Sequence, residues 1–276
     1  MDTVAARRTT MSARLTGLLI TAAVLSACTA PVASADPRLP PVTGSFDYQL
    51  GEAYDTAGLT VVARDSTATP MPGAYDICYV NGFQTQPGDG PRWLRDHPSA
   101  LLRDGGQPVT DPDWPDEYIL DPSTAPQRAS ILAVLGPVLS HCADEGFDAV
   151  EVDNLDTFTR FAGVDRAGAL ELARTYARIA HERGLAIGQK NAAESTEVGH
   201  REVGFDFAVA EECAAYDECD RYRAVYGDHV LQIEYTDDLP APFHEVCASP
   251  DRAPLTILRD RDLVAPGGAG YAYEQC

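Results

Sequence analysis

Residues 147–156 (FDAVEVDNLD) carry the strongest chemical signal in this 276-residue chain. Apolar and acidic residues alternate in a short run after Gly146, which is typical of a β-strand whose side chains face opposite ways in turn. Asp153, Asn154 and Asp156 lie at or just beyond the end of that predicted strand. In a parallel barrel this end would face the active site, whereas in other folds the same residues would form a solvated loop.

Three later strand-like runs also end in polar pairs, namely Lys190-Asn191, Glu211-Glu212 and Glu234-Tyr235. Lys190 is the only lysine in a chain that otherwise uses arginine, which indicates a need for a compact point charge at this position. Asp153 and Glu211 would lie on alternate strands with this cation between them. Two carboxylates so placed suit glycoside cleavage, in which one protonates the leaving oxygen and the other acts at the anomeric carbon.

Eight strand-like runs that alternate with helical ones predict the fold. The runs are 46–50, 59–63, 76–80, a run ending at 153, 185–189, 205–210, 230–233 and 254–258. Apolar residues recur at helical spacing in 125–145 and in 167–183, and a bend is expected in the first of these helices at Pro137. Residues 84–116 are rich in proline and glycine, which is typical of loops, and residues 117–120 are predicted to form a short extended piece. This alternation favours a parallel α/β sheet, and eight units favour closure into a single (β/α)8 TIM barrel.

The first 35 residues are predicted to be a signal peptide. Three arginines precede a short apolar stretch, 15–27, which is too short to span a bilayer. Residues 25–28 (LSAC) look like a lipobox, in which Cys28 would be lipidated, and residues 33–35 (ASA) look like an ordinary cleavage site. Either site predicts an exported protein, secreted or held at the outer face of the membrane by a lipid anchor alone. Residues 36–44 form a proline-rich linker before a barrel domain at 45–276.

Charge and cysteine content limit the class of protein. A formal net charge of −21 excludes nucleic acid as a natural partner and favours neutral or cationic ligands. Six cysteines remain besides Cys28, and an even number in an exported protein suggests disulfides, for which fifteen connectivities exist. Zinc is the alternative, but the sequence has neither a Cys-x-x-Cys motif nor a histidine pair at ligand spacing. We therefore expect neither a metal nor a cofactor.

A set of segments follows in an order known from one enzyme family. They are 76–80 (DICYV), 114–121 (WPDEYILD), 146–156 (GFDAVEVDNLD), 180–191 (AHERGLAIGQKN), 205–213 (FDFAVAEEC), 216–219 (YDEC), 233–235 (IEY) and 259–263 (RDRDL). With these segments the chain resembles glycoside hydrolase family 114, the endo-α-1,4-polygalactosaminidases. The resemblance implies a barrel enzyme that acts on α-1,4-linked galactosamine-rich polysaccharide, with Asp153 and Glu211 as its catalytic pair.

Three segments depart from the family pattern. Residues 81–86 (NGFQTQ) stand where the family has Ser-Ala-Gly-Ser-Trp-Glu, the loop after the second strand keeps only Asp65 of its acids, and Ala192 replaces the acid of Lys-Asn-Asp. The catalytic pair is kept while subsite residues change, so the reaction type is better supported than the identity of the sugar. The alternatives are a carbohydrate-binding barrel without turnover, against which retention of both carboxylates argues, and a glycosidase for another α-linked polymer.

Further predictions concern the residues around the pair. We expect substrate contacts from Asp65, Tyr79, Trp114, Glu151, Asn154, Asp156, Lys190, Asn191, Glu234 and Tyr235. Glu151 shares a strand face with Asp153 and would either tune that carboxylate or pair with a buried cation. In a retaining mechanism Asp153 would be the nucleophile, kept ionised by Lys190. Glu211 would be the general acid and base, kept protonated by an acidic neighbourhood that Glu212 and Glu234 could supply.

The cysteines and the oligomeric state complete the expectations. We predict the disulfides Cys78–Cys142, Cys213–Cys219 and Cys247–Cys276, which would tie the third strand to a helix, clip the loop after Glu211 and staple the last residues. The expected partner is a cationic polysaccharide, and the expected state is a monomer.

Overall fold

Eleven strands and seven α-helices are present in the computed structural model, which describes residues 1–3, 5–6, 9–10 and 37–276. The strands are β1 (Phe46–Gln49), β2 (Val61–Asp65), β3 (Tyr75–Asn81), β4 (Arg103–Asp104), β5 (Gln107–Pro108), β6 (Ala149–Asp153), β7 (Ala186–Lys190), β8 (Phe207–Glu211), β9 (Val230–Tyr235), β10 (Leu255–Arg259) and β11 (Tyr273–Gln275). The helices are α1 (Gly90–Asp96), α2 (Ala125–Glu145), α3 (Thr157–Arg160), α4 (Arg166–Glu182), α5 (Thr196–Val198), α6 (Cys219–Tyr226) and α7 (Phe243–Ala248).

The predicted signal peptide carries its two candidate processing sites, Cys28 and residues 33–35, outside the described residues. Within the described part, no helix combines the length and apolar character that crossing a bilayer requires.

Eight of the strands form a parallel sheet in the order β1-β2-β3-β6-β7-β8-β9-β10. The predicted α/β barrel is therefore confirmed. The strand bounds differ in detail, because β2 ends at Asp65 and β9 extends to Tyr235, each two residues beyond the predicted end. Helix α2 continues through Pro137 as one element. In the predicted extended piece 117–120, residues 118–120 form isolated bridges rather than a strand.

Side chains alternate along each barrel strand between two apolar layers. The inner layer consists mainly of Phe46, Tyr48, Val61, Ala63, Tyr75, Ile77, Ala149, Ala186, Phe207, Val209, Leu231, Ile233, Tyr235, Leu255 and Ile257. The outer layer includes Val150, Val152 and Ile187 together with the apolar faces of α2 and α4. Gly188 belongs to the inner set, since a Cβ there would lie 2.6 Å from the Phe207 ring. Position along the alternation therefore decides which polar residues at a strand end face the barrel axis.

The seam between β10 and β1 is filled differently from the other strand junctions. Strand β11 pairs antiparallel with β10, and its Tyr273 hydroxyl donates to the carbonyl oxygen of Phe46 in β1 at 2.8 Å. The buried Arg259 of β10 crosses the same seam, because its Nη1 donates to Asp47 Oδ1 at 2.6 Å and to the Tyr48 carbonyl oxygen. The eight predicted strands thus omit a ninth, antiparallel one that contacts both edges.

All three predicted disulfides are present in the structure. Cys78–Cys142 links β3 to α2, Cys213–Cys219 closes the segment between β8 and α6, and Cys247–Cys276 links α7 to the residue after β11. The last of these holds β11 next to the seam.

Replacing Cys247 and Cys276 together by serine is expected to lower the free energy of unfolding by about 2–4 kcal/mol, because the cross-link restricts the unfolded chain over a sequence separation of 29. Urea unfolding followed by circular dichroism measures this loss. The matched control is Cys213→Ser with Cys219→Ser, whose separation of 6 predicts a smaller entropic loss. An equal or larger loss in the control pair would show that chain entropy is not the main contribution of the Cys247–Cys276 link.

Candidate active site

Three charged side chains at the ends of neighbouring strands meet over the barrel axis. Asp153 ends β6, Lys190 ends β7 and Glu211 ends β8, and all three share the inward parity of their strands. Lys190 Nζ lies 3.0 Å from Glu211 Oε2 and 3.6 Å from Asp153 Oδ2. Since both oxygens lie this close to one nitrogen atom, the distance between Asp153 Oδ2 and Glu211 Oε2 is at most about 6.6 Å.

Lys190 is enclosed by groups that favour its charged form. Its side chain is 1 % exposed, its Nζ donates to Tyr48 Oη at 2.7 Å, and it lies 5.0 Å and 5.5 Å from the ring centroids of Tyr48 and Tyr79. Burial works to lower the pKa of the ammonium, but Asp153, Glu211 and Glu151 together raise this pKa above its ordinary value. The ammonium is therefore a fixed positive charge shared between the two carboxylates.

Glu211 accepts hydrogen bonds from three side chains. Tyr235 Oη donates to Oε1 at 2.5 Å, while Asn191 Nδ2 and Lys190 Nζ donate to Oε2, each at 3.0 Å. Burial acts to raise the pKa of Glu211, but Lys190 and these donors outweigh burial and lower the pKa below its ordinary value of 4.5. The surroundings of Glu211 thus favour the carboxylate, not the acid.

The acidic neighbourhood predicted for Glu211 is wrong. Glu212 forms an ion pair with Arg261 at 2.6 Å, and Glu234 points away from the barrel axis. Glu234 follows the inward-facing Ile233 and precedes the inward-facing Tyr235, so alternation places it on the outer face. There it is fully buried and accepts hydrogen bonds from the Ala214 backbone N–H at 3.0 Å and from Gln232 Nε2 at 2.7 Å. A substrate contact from Glu234 is excluded by this position.

Asp153 is oriented by its neighbours on β3 and in its own loop. Tyr79 Oη donates to Asp153 Oδ2 at 2.9 Å, and the Asn154 backbone N–H donates to Asp153 Oδ1 at 2.7 Å. Asn154 is held in turn by Arg160 of α3, whose Nη2 donates to Asn154 Oδ1 at 2.7 Å. Arg160 also pairs with Asp156 at 2.9 Å, so the loop after β6 is fixed by one guanidinium group.

Glu151 lies below Asp153 in the same strand and has no exposed surface. Tyr48 Oη donates to its Oε1 at 2.8 Å, whereas its Oε2 has no hydrogen-bond partner within the described chain. Burial, only partly offset by Lys190 and by the Tyr48 hydrogen bond, raises the pKa of Glu151 to about 7. Glu151 is therefore beneath the floor of the cleft and does not reach a substrate, contrary to the expected contact.

Asp153, Lys190 and Glu211 lie on the floor of an open cleft of about 650 Å³ at the carboxyl ends of the strands. Among the predicted residues, the cleft is lined by Asp65, Tyr79, Trp114, Asp153, Asn154, Asp156, Lys190, Asn191, Glu211 and Tyr235. Ten of the twelve predicted site residues thus lie together, and Glu151 and Glu234 do not line the cleft.

The model of glycoside-hydrolase family GH114 matches residues 27–276. The chain belongs to this family. The crystal structure of Ega3 from Aspergillus fumigatus, a complex with galactosamine, is similar with a TM-score of 0.66 and 21 % identity, over 88 % of this chain and 98 % of that one. The glycoside hydrolase domain of PelA from Pseudomonas aeruginosa gives 0.57 and 14 %, over 82 % and 98 %.

At these identities the two solved structures support the fold, and among curated proteins no match to the chain was found. The family resemblance inferred from the sequence is confirmed, and the protein is a glycoside hydrolase of family GH114.

Glu117 of the GH114 cleft and its hydrogen-bond partner Asn81 are among the residues that were not predicted from the sequence. Glu117 lines the cleft and is 8 % exposed, and Asn81 Nδ2 donates to its Oε2 at 2.7 Å. Burial raises the pKa of Glu117 to about 7, and the negative charges of Asp153 and Asp111 add to this rise. Asn81 is the last inward-facing residue of β3, so alternation could have identified it. Glu117 comes from the connection after β3, where strand parity gives no guidance.

The rim of the GH114 cleft carries two exposed aromatic side chains. Trp114 is 57 % exposed and lies in the connection between β3 and α2, and Tyr216 is 64 % exposed and lies between β8 and α6. Strands β6 and β7 separate the two connections in the sheet. Exposed aromatic faces of this kind are suited to stacking on sugar rings.

The residues that follow strands β6, β7 and β8 have unusual backbone conformations. Asn154, Asn191, Ala192 and Glu212 have φ angles of 66°, 50°, 59° and 57°. Non-glycine residues in this left-handed region are strained, and such strain concentrates at functional sites. In this GH114 protein, Asn154, Asn191 and Glu212 directly follow Asp153, Lys190 and Glu211, and all three line the cleft.

Proposed function

We propose that the protein is an exported retaining endo-glycosidase that cleaves α-1,4-linked galactosamine-rich polysaccharide. The observation that carries this proposal is the single ammonium group of Lys190 within 3.6 Å of both Asp153 and Glu211. It limits the separation of the carboxylates to at most about 6.6 Å, close to the roughly 5–5.5 Å of retaining enzymes and at the lower edge of the roughly 6.5–9.5 Å of inverting ones.

In the proposed double displacement, Asp153 attacks the anomeric carbon and Glu211 protonates the leaving oxygen. Tyr79 and Lys190 hold the Asp153 side chain in place, so that one of its oxygens can attack the anomeric carbon. After departure of the leaving group, the ionised Glu211 activates the water that releases the product. The hydrogen bonds around Glu211 suit this second step, in which it must accept a proton.

Charge in the cleft supports a cationic substrate. Among its described lining residues, eight are acidic and three are basic, and the three basic groups are already paired with acids: Asp65, Asp113, Glu117, Asp153, Asp156, Glu211, Glu212 and Asp262 against Arg160, Lys190 and Arg261. A polymer with free amino groups would be attracted to this surface. That Ega3 was solved with galactosamine agrees with this choice of sugar.

Two further features support an exported, endo-acting enzyme. Three disulfides fit an oxidising compartment. The cleft is open, and Trp114 and Tyr216 offer stacking surfaces in two separate loops, which suits binding along a polymer rather than at a chain end. Whether Cys28 is lipidated is decided by mass spectrometry of the mature N-terminus.

The test of the proposed function is product analysis on α-1,4-linked galactosaminan. We expect internal cleavage into oligosaccharides, with the first-formed reducing ends in the α configuration when followed by NMR. A first product of inverted configuration would make Asp153 a base acting through water. No cleavage of galactosaminan, together with cleavage of another α-linked polymer, would reassign the substrate.

Activity on a partly deacetylated polymer is expected to fall as salt rises, because attraction between exposed charges is screened over about 8 Å at physiological ionic strength. The value of kcat/KM measured from low to high sodium chloride tests this expectation. A fully N-acetylated polymer is neutral and serves as the control, for which kcat/KM should stay nearly constant. Equal salt dependence on both polymers would remove the electrostatic explanation.

A further inference from the structure

One buried carboxyl group of the cleft has an oxygen that no described residue binds. Glu117 lines the cleft although the residue is only 8 % exposed, and its Oε2 accepts a hydrogen bond from Asn81 Nδ2 at 2.7 Å. Its other oxygen, Oε1, accepts no hydrogen bond within the described chain. Unlike Glu151 Oε2, which is enclosed, Glu117 Oε1 is accessible from the cleft. Buried polar atoms are normally paired, so Oε1 is an acceptor that lacks its donor.

The other carboxyl groups that line the cleft are either occupied or exposed. Five of them accept hydrogen bonds or form ion pairs with neighbouring residues: Asp65, Asp153, Asp156, Glu211 and Glu212. Asp113 and Asp262 are exposed, so water and salt would weaken an ion pair formed with either. Among the described lining residues, Glu117 therefore combines burial with a free acceptor.

Glu117 is held close to the proposed nucleophile. Asn81, its hydrogen-bond donor, is the partner of Asp153 in the pairing of β3 with β6. The orientation of the Asn81 amide is fixed, because its Oδ1 accepts from the Gln84 backbone N–H and from Asn154 Nδ2, each at 3.1 Å. The amide nitrogen must then face Glu117 Oε2. This arrangement leaves Oε1 free in the part of the cleft where Asp153 would attack a sugar.

The structure of an amino sugar brings its nitrogen to the same place. In a 2-amino sugar the nitrogen is bonded to the carbon next to the anomeric carbon, so it lies two bonds from the atom that Asp153 would attack. A protonated amino group carries only donors, whereas an acetamido group has one uncharged N–H and a carbonyl acceptor. A carboxylate oxygen binds an ammonium group through a charge-assisted hydrogen bond, which is roughly twice as strong as an uncharged one.

We propose that Glu117 Oε1 binds the 2-ammonium group of the sugar next to Asp153, and thereby selects sugars with a free amino group over N-acetylated ones at that position. This inference rests on the proposed function, which it deepens by naming the residue that selects the sugar. Asn81 is a positioning residue, since it holds one oxygen of Glu117 and leaves the other to the ligand.

The experiment compares the affinities of galactosamine and N-acetylgalactosamine for the native protein and Glu117→Gln, by calorimetric or NMR titration. In the variant, the Asn81 donor should bind the glutamine oxygen, so the glutamine NH₂ group faces the cleft and meets the ammonium group as a second donor. We expect the affinity for galactosamine to fall at least about tenfold, and that for N-acetylgalactosamine to change by less than about threefold. Equal changes for both sugars would overturn the proposal.

Asp113→Asn is the matched control for charge. It removes one negative charge from the same cleft, but from an exposed side chain, so the affinity for galactosamine should fall by less than about twofold. In the native protein the preference for galactosamine should persist at high sodium chloride, because a buried pair is screened much less than exposed charges. An equal loss in Asp113→Asn and Glu117→Gln, or a preference that salt abolishes, would reduce the effect to the general charge of the cleft and overturn the proposal.

Binding of galactosamine should also release a proton from Glu117. The titratable groups that face Glu117 are Tyr79 on β3, Asp153 on β6, Arg160 of α3 and Asp111 of its own connection. Burial raises the pKa of Glu117 to about 7, and a neighbouring ammonium group lowers this pKa. At about pH 6.5, where an amino group is still protonated, we expect release of roughly half a proton, measured by calorimetry in buffers of different ionisation enthalpy. Equal release in Glu117→Gln would assign the titration to another carboxyl group and overturn the proposal.

The native protein also tests the proposal if Glu117→Gln does not fold, since equal affinity for galactosamine and N-acetylgalactosamine would overturn it. These binding measurements need no turnover, and release of reducing ends from galactosaminan is measured in parallel. A protein that binds galactosamine through Glu117 but cleaves no polymer would contradict the proposed function alone. A protein that cleaves galactosaminan with the same kcat/KM in its native form and in Glu117→Gln would contradict this inference alone.

Discussion

Replacing Asp153 by asparagine, or Glu211 by glutamine, is expected to reduce turnover of galactosaminan by about a thousand-fold or more. Each substitution keeps the shape of the side chain but removes the group that, in the proposed mechanism, forms the glycosyl–enzyme bond or transfers the proton. The folded state should be retained, because both residues keep one oxygen for their tyrosine donors, Tyr79 and Tyr235. Turnover is measured by release of reducing ends, and folding by thermal unfolding.

The two roles can be separated with a substrate that carries a good leaving group. Glu211→Ala should regain activity with azide on such a substrate and form a glycosyl azide of retained configuration, since the leaving group no longer needs an acid. Asp153→Ala should not regain activity with retained configuration. Glu234→Gln provides the matched carboxyl-to-amide change outside the cleft and should keep nearly full turnover. If azide produced the retained product with Asp153→Ala instead, the two assignments would be exchanged.

Replacing Lys190 by methionine is expected to lower the free energy of unfolding by about 3–5 kcal/mol and to abolish turnover. The substitution fills a similar volume but leaves Asp153 and Glu211, whose side chains are 16 % and 22 % exposed, without the cation they share. Removal of one partner from a buried ion pair is costly because the other partner keeps its desolvation penalty. Chemical unfolding at neutral pH measures the loss.

A double-mutant cycle distinguishes this electrostatic loss from a packing defect. Combining Lys190→Met with Glu211→Gln removes one of the stranded charges, so the double variant should be less destabilised than the sum of the two single changes. Additive losses would mean that packing of the lysine stem, not its charge, accounts for the effect. Lys190→Arg adds a further comparison. The planar guanidinium group of arginine does not fit a position at which the lysine ammonium lies close to three separate groups.

The sequence allowed prediction of those features that depend on alternation along a strand. Asp153, Lys190 and Glu211 were found because each ends an apolar run, and parallel strands bring their carboxyl ends to one edge. Glu234 was misplaced because the seventh strand was ended at Ile233. The pairing of β9 with β10 continues to Tyr235, so Glu234 lies within the strand. Alternation along the strand then places the Glu234 side chain on the outer face.

Features that depend on contacts between distant segments could not be derived in this way. Glu117 reaches the cleft through a long connection whose path is set by bridges such as Gln84–Ile119. The lowered pKa of Glu211 depends on the charge of Lys190 and on hydrogen bonds from Tyr235 and Asn191, and no local pattern reveals the direction of these donors. Strand β11 has three residues and follows a glycine-rich segment, so it shows neither the length nor the alternation by which strands are recognised.

The filling of the seam by β11 also has a consequence for the order of assembly. This strand comes last of the eleven in the chain, and the edges of β1 and β10 stay uncovered in any intermediate in which it has not docked. Uncovered strand edges are templates for pairing between molecules. Folding intermediates should therefore be most prone to aggregate before β11 docks, and formation of the Cys247–Cys276 link would make that docking difficult to reverse.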